Sequence, residues 1–242
     1  MDPWLWLGLC ILLAYTIEAI TGFGSIVIAL SLGAVLLPIP EMLPVLVPLN
    51  VLMSGYLTWK HRHHIHWRLL STLILPLMLT GTITGYVLTP WLGAAALKTL
   101  FGLLVVWFAG KELWRIFGGR VAVPHNLAAS RVITFGAGIT HGLFASGGPL
   151  LVYALAGIQL DKGRTRATLL TVWFTLNLTL SVLYMFDGSL ITSAGRLVWY
   201  LPLLVIGVWA GEFLHHRLNE DRFRQAVYGV LLVTGLLLML GA

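Results

Sequence analysis

The chain alternates long apolar stretches with short polar turns, and the lengths of those stretches predict its elements. A helix needs about 20 apolar residues to cross a ~30 Å hydrocarbon layer. Stretches 41–59, 69–89, 94–113 and 167–186 meet that need with polar flanks, and 197–214 and 224–241 are slightly shorter. Two other stretches, 4–37 and 132–158, are too long for single spans at about 1.5 Å per residue. Each is split by a glycine cluster: Thr21-Gly22-Phe23-Gly24-Ser25 in the first, Ser146-Gly147-Gly148-Pro149 in the second. Such clusters punctuate helices. The connection 114–131, with Gly118-Gly119-Arg120 and Pro124-His125-Asn126, reads as a surface loop. The opening MDPWLWLGLC has no basic region and no small-residue cleavage site, so it reads as the start of a membrane segment and not as a removable signal.

The pattern occurs twice. Pro76, Gly81 and Gly85 recur 126 positions later as Pro202, Gly207 and Gly211, and Asn50 and Gly102 recur at an offset of 127 as Asn177 and Gly229. Each half runs glycine-split segment, Asn-bearing helix, Pro-x4-Gly-x3-Gly helix, Gly-bearing helix. Lys60, Arg62 and Arg68 follow the first Asn-bearing helix, whereas Lys162, Arg164 and Arg166 precede the second. If basic loops face the cytoplasm, this reversal inverts the repeats and leaves only Lys98 and Arg196 outside. Each glycine-split segment must then be a hairpin that returns to its own side. Its second arm, 25–37 or 149–158, would cover roughly 15–20 Å, about half the core, so the tips of the two hairpins would meet near the midplane. A rival count of eight plain spans in parallel repeats divides the basic residues almost evenly. The expected fold is an all-α integral membrane protein forming one transport domain, 1–242. Its inverted repeats cover about 4–117 and 131–242, each a broken hairpin plus three transmembrane helices, with 8–10 membrane segments in all.

Composition agrees. The chain is 58% hydrophobic and 10% charged, with mean hydropathy +0.91, too little polar surface for a water-soluble enzyme or nucleic-acid binder. Its formal charge of +6 fits loops against anionic lipid headgroups. The lone Cys10 excludes an intramolecular disulfide and a cysteine metal site.

Irregular backbone at membrane depth survives only inside protein or beside a wet cavity, because unpaired N–H and C=O groups in lipid cost several kcal/mol each. The two breaks therefore predict a cavity. Ser25 is placed to cap the helix that begins near residue 26, and Pro149 suits a first helical position. Two half-helix N-termini facing the midplane would form an anion site from Thr21, Gly22, Phe23, Gly24, Ser25, Ser146, Gly147, Gly148 and Pro149. The plainer reading is that these glycines permit close helix packing.

Glu18 and His141 lie at comparable depths before the breaks and could couple protons to anion movement; a static Glu–His hydrogen bond is the alternative. Asn50 and Asn177 could bind substrate oxygen or unwound carbonyls, or join helices. Trp59, Trp173 and Tyr184 are assigned no role, since such aromatics more often pack helices or sit at the interface. The run Lys60-His61-Arg62-His63-His64-Ile65-His66 reads as a headgroup-binding turn in preference to a metal site, given its flanking cations. No Walker lysine, H-E-x-x-H or G-x-S-x-G motif occurs, and no cofactor or metal is expected.

Over nearly its whole length the chain resembles the sulfite exporter TauE/SafE family, also called the four-toluene-sulfonate uptake permeases. IEAITGFGSIVIALSLG and ITHGLFASGGPLLVYALAG are similar to its paired glycine-rich segments, LLTVWFTLNLTLSVLYMFDGSL to the helix that follows, and LPLLVIGVWAGEFLHHRL to its P-x4-G-x3-G helix. The resemblance implies a multi-pass transporter of the bacterial cytoplasmic membrane. Its partners would be the lipid bilayer and a small sulfur-containing anion such as sulfite, thiosulfate, sulfoacetate or another organosulfonate. No nucleic-acid partner is implied, and homo-oligomerisation stays open. The family pattern often has three glycines before a proline; here the first repeat has GFGS followed by Ile-Val and the second has ASGGP. A passive anion channel and a metal-dependent intramembrane enzyme are the alternative readings.

Overall fold

The computed structural model describes residues 2–21, 24–118, 126–155, 158, 160–215 and 220–240. All regular structure among these residues is helical. The first hairpin is α1 (Pro3–Thr21) and α2 (Ser25–Gly33), followed by α3 (Ile39–Lys60). Next come α4 (Trp67–Leu69), a π-helical turn (Leu70–Ile74) and α5 (Leu75–Leu88), continuous as one span, then α6 (Ala94–Gly118). The second half begins with the hairpin α7 (Leu127–Phe144) and α8 (Gly148–Ala154), then α9 (Lys162–Phe186), α10 (Ser189–His215) and α11 (Glu220–Leu240).

Among the described residues, six helices are long and apolar enough to cross a membrane: Pro3–Ile20, Ile39–Lys60, Trp67–Trp91, Ala94–Gly118, Gly163–Phe186 and Ser189–Leu214. Gln225–Leu240 is a shorter apolar helix. The protein is thus an all-α, multi-pass membrane protein. The second arms of the hairpins are shorter than the 25–37 and 149–158 expected from sequence, at 9 and 7 residues. Apolar composition does not end where helical hydrogen bonding ends: Ala34–Leu37 continue as a turn. The 114–131 connection is also narrower than expected, since α6 runs on to Gly118 and α7 starts at Leu127, capped by Asn126, whose side chain accepts from Ala129 N at 2.7 Å.

The Pro-x4-Gly-x3-Gly helices are packed where a side chain would not fit. On α5, a Cβ at Gly81 would lie 2.4 Å from Phe135 O, and one at Gly85 would lie 2.2 Å from Ile139 O. α5 therefore runs alongside α7 in the same direction, its glycines against Gly138 and Gly142. α10 lies on α1 in the same way, with Gly207 against Leu12 and Thr16 and Gly211 against Thr16 and Ala19. Small residues drive this approach, because lipid tails offer no hydrophobic gain for bringing helices together. Each half thus lends its glycine helix to the other half's hairpin. The matched helices α3 and α9 run antiparallel, with Asn50 beside Asn177 and Gly55 beside Phe174. α6 and α11 also run antiparallel, with Gly102 meeting Gly235 and Met239 and Phe108 meeting Tyr228 edge-on. A Cβ at Gly229, the sequence match of Gly102, would meet nothing within 4 Å.

Candidate functional site

The two helix breaks open onto one cavity. Its polar lining is Glu18, Ser25, Asn50, Ser146, Trp173 and Asn177, together with backbone at Gly24, Ala145 and Gly148 and the ring of Pro149. Its apolar lining includes Ile17, Ile26, Val27 and Ile28 from the first hairpin, Phe108 from α6, and Val227, Tyr228 and Leu231 from α11. The cavity is small, about 50 Å³, room for a compact group and below the ~300–1,000 Å³ of drug-sized sites.

The first break is built around Gly24, whose φ of 103° is left-handed, a conformation open to glycine at little cost. Gly24, and not Ser25, holds the cap position of α2, where it has no side chain to offer the helix. The capping group comes from α1: Ser25 N donates to Glu18 Oε2 at 2.9 Å. A carboxylate at a helix N-terminus accepts an otherwise unpaired N–H and meets the positive end of the helix dipole. Glu18, 1% exposed, also accepts from Asn50 Nδ2 at 3.2 Å, and that amide donates to Ser25 Oγ at 2.9 Å.

The second break turns at Ala145, with φ 50°, and at Gly147. A Cβ at Gly147 would lie 2.3 Å from Ala137 O, so backbone contact fixes glycine there, whereas a Cβ at Gly148 would only touch Trp173 at 3.4 Å. Pro149 is the second residue of α8, one later than expected. Gly147 N donates to His141 Nδ1 at 3.4 Å, so the neutral imidazole carries its proton on Nε2. His141 is fully buried, and its ring stacks on Trp173 at 5.9 Å and 14°. The His141 ring and the Asn177 amide interact with each other, whereas Trp173 Nε1 and Ser146 Oγ are buried without a hydrogen-bond partner. Groups of this kind cost about 1–3 kcal/mol each unless water or a ligand meets them.

The asparagines join the halves, with Asn177 Nδ2 donating to Asn50 Oδ1 at 2.8 Å. Glu18 and His141 therefore do not bond each other, because each is held by its own break and the asparagine pair stands between them. The static Glu–His bond that the sequence left open is not formed. Thr21 ends α1, while Gly22, Phe23 and the Thr21 side chain lie outside the described residues.

Sequence reading missed four residues. Trp173 lines the cavity; one turn before Asn177 on α9, it was discounted as a packing aromatic. Phe108 and Tyr228 close the apolar side, and only the matched Gly-bearing helices hinted at that role. Arg166, read only for sidedness, is partly buried and donates through Nη2 to Ala19 O at 3.1 Å, at the last turn of α1. The other aromatics behave as expected: Trp59 is exposed, and Tyr184 packs against Tyr86 at 5.8 Å, whose hydroxyl donates to Asp187. Among the described residues, no three His, Cys, Asp or Glu side chains converge as metal ligands would.

No curated protein and no solved structure matches the chain. A family model described as Sulfite exporter TauE/SafE matches residues 7–238, nearly the whole length. With its membrane-spanning helices and duplicated broken hairpins, the chain belongs to the sulfite exporter TauE/SafE family of membrane transporters, which is not a family of enzymes.

Proposed function

We propose that the protein is a proton-coupled secondary transporter of a small sulfur-containing anion in the bacterial cytoplasmic membrane. Its substrate site is the cavity between the two breaks, and it works by alternating access of inverted repeats around that site. Antiparallel α3–α9 and α6–α11 pairs, and the exchange of glycine helices between hairpins, support inversion. The reversed distribution of Lys and Arg supports it independently.

The observation that carries the substrate reading is the pair of unpartnered buried donors, Trp173 Nε1 and Ser146 Oγ, that line the cavity at the second break. N–H and O–H groups in a dry pocket suit the oxygens of an oxyanion. The cavity is divided, polar at the breaks and apolar along α6 and α11, which favours an organosulfonate with an apolar body over bare sulfite.

Coupling follows from Glu18. While ionised, it fills the N-terminus of α2 and repels a second anion. Protonated, it gives up much of its hold on Ser25 N and lets that donor turn to substrate, so proton and anion load together. His141 stands behind the cavity wall, where it accepts from Gly147 N and stacks on Trp173, and so positions the second break and the indole.

Thermal stability of the detergent-purified protein across a panel of sulfonates, sulfite, thiosulfate and carboxylates tests the reading. A ligand at a hundred times its Kd adds about 2.7 kcal/mol. Sulfonates should raise the Tm more than carboxylates of equal size; a flat response to every anion would refute the assignment.

A further inference from the structure

A second polar pocket lies apart from the central cavity, between the turn that follows α3 and the start of α9. His63, His64, His66, Arg68 and Arg164 line it, with Trp67 at its edge, and no carboxylate does. The turn is held to α9 by a hydrogen bond from His66 N to Thr168 Oγ1 at 3.0 Å. Leu69 N donates to His66 Nδ1 at 3.1 Å, so the neutral ring carries its proton on Nε2. Arg164 meets Asp161 at 3.4 Å, but that carboxylate also caps α9 by accepting from Arg164 N at 2.8 Å, and the arginine side chain stays 58% exposed. Two guanidiniums and several imidazoles from two separate elements therefore face one concave spot.

We infer that this pocket binds a phosphate group. Arginine forks match phosphate oxygens, and imidazole N–H donors add to them. The surroundings favour a phosphate carried by an anionic glycerophospholipid. Trp67 is 61% exposed and Trp59 is 66% exposed with Arg62 stacked over its ring at 5.4 Å, an arrangement suited to the headgroup zone. Basic pockets beside membrane helices bind such headgroups, each Lys or Arg contributing appreciably. The pocket does not depend on the transport reading.

The test counts lipids retained by the detergent-purified full-length protein in native mass spectrometry. Phosphatidylglycerol, phosphatidylcholine and inorganic phosphate are titrated separately, with Tm read alongside. Wild type should retain phosphatidylglycerol in preference to phosphatidylcholine, and R68Q/R164Q should weaken that retention roughly tenfold or more. H63Q/H64Q, on exposed positions, should weaken it less and serves where the arginine double variant fails to fold. Inorganic phosphate that raises the Tm of wild type but not of R68Q/R164Q, with phosphatidylglycerol giving no more, would assign the pocket to a free phosphate. Equal phosphatidylglycerol retention by wild type and both variants, with no phosphate effect, would overturn the inference.

Discussion

In the first hairpin a carboxylate, Glu18, accepts the first backbone N–H after the break at 2.9 Å; in the second an imidazole, His141, does so at 3.4 Å. The positions correspond, yet the outcomes differ. Glu18 is surrounded by donors from Ser25 and Asn50, whereas Ser146 and Trp173, beside His141, keep polar atoms without partners. Corresponding positions thus carry different side chains, and the proposed function assigns the first break to the proton and the second to the ligand.

The strongest way to break this comparison is to exchange the roles of the two glycines in the second break. Gly147→Ala drives a methyl against Ala137 O at 2.3 Å, so it should cost about 3 kcal/mol or more and collapse folding yield, read by detergent size exclusion. Gly148→Ala has room and should fold as wild type does while narrowing the cavity. Equal yields from the two would show that the break is not packed as described.

Next comes Glu18→Ala, which strands the donors of Ser25 and Asn50. Stability should fall by about 2–4 kcal/mol and transport should be lost. Glu18→Gln should fold better and transport with a flattened pH profile. An unchanged profile would leave Glu18 a structural cap only. Trp173→Phe sharpens the other side: it keeps the ring that stacks on His141 but deletes Nε1–H, so KM should rise about tenfold with little change in Tm. A normal KM would remove Trp173 from the site.

Much of this was legible in the sequence. Gly and Pro mark breaks because they change the backbone itself, so Gly24, Gly147 and Pro149 could be placed without neighbours. The recurrence of Asn50 as Asn177 marked two matched buried amides, but not that they bond each other. Ser25 was misjudged because capping by a residue seven positions earlier depends on how α1 folds back, which no local rule encodes. Trp173 was passed over because an aromatic in a membrane helix looks the same whether its Nε1–H meets lipid, protein or a cavity.

The smallest effect lies outside the cavity, at Asp187. Burial pushes its carboxyl up, but hydrogen bonds from Ser189 and Tyr86 outweigh this and hold it below its ordinary 3.8. Its contribution is present above that value and fades as pH falls through the depressed one. Asp187→Asn should lower the Tm by about 1–2 °C at pH 7, and by less below pH ~4, as expected for a solvent-screened contact. A deficit that grows on acidification would contradict the sign.

The comparison between hairpins reduces to whether Glu18 and the anion compete for the same donors. Calorimetry of sulfonate binding near pH 6 in buffers of different ionisation enthalpy measures the protons taken up per anion. Uptake approaching one proton per anion in wild type, vanishing in Glu18→Gln while binding persists, is the expected result. Binding without proton uptake in wild type, or uptake that survives in Glu18→Gln, would contradict it.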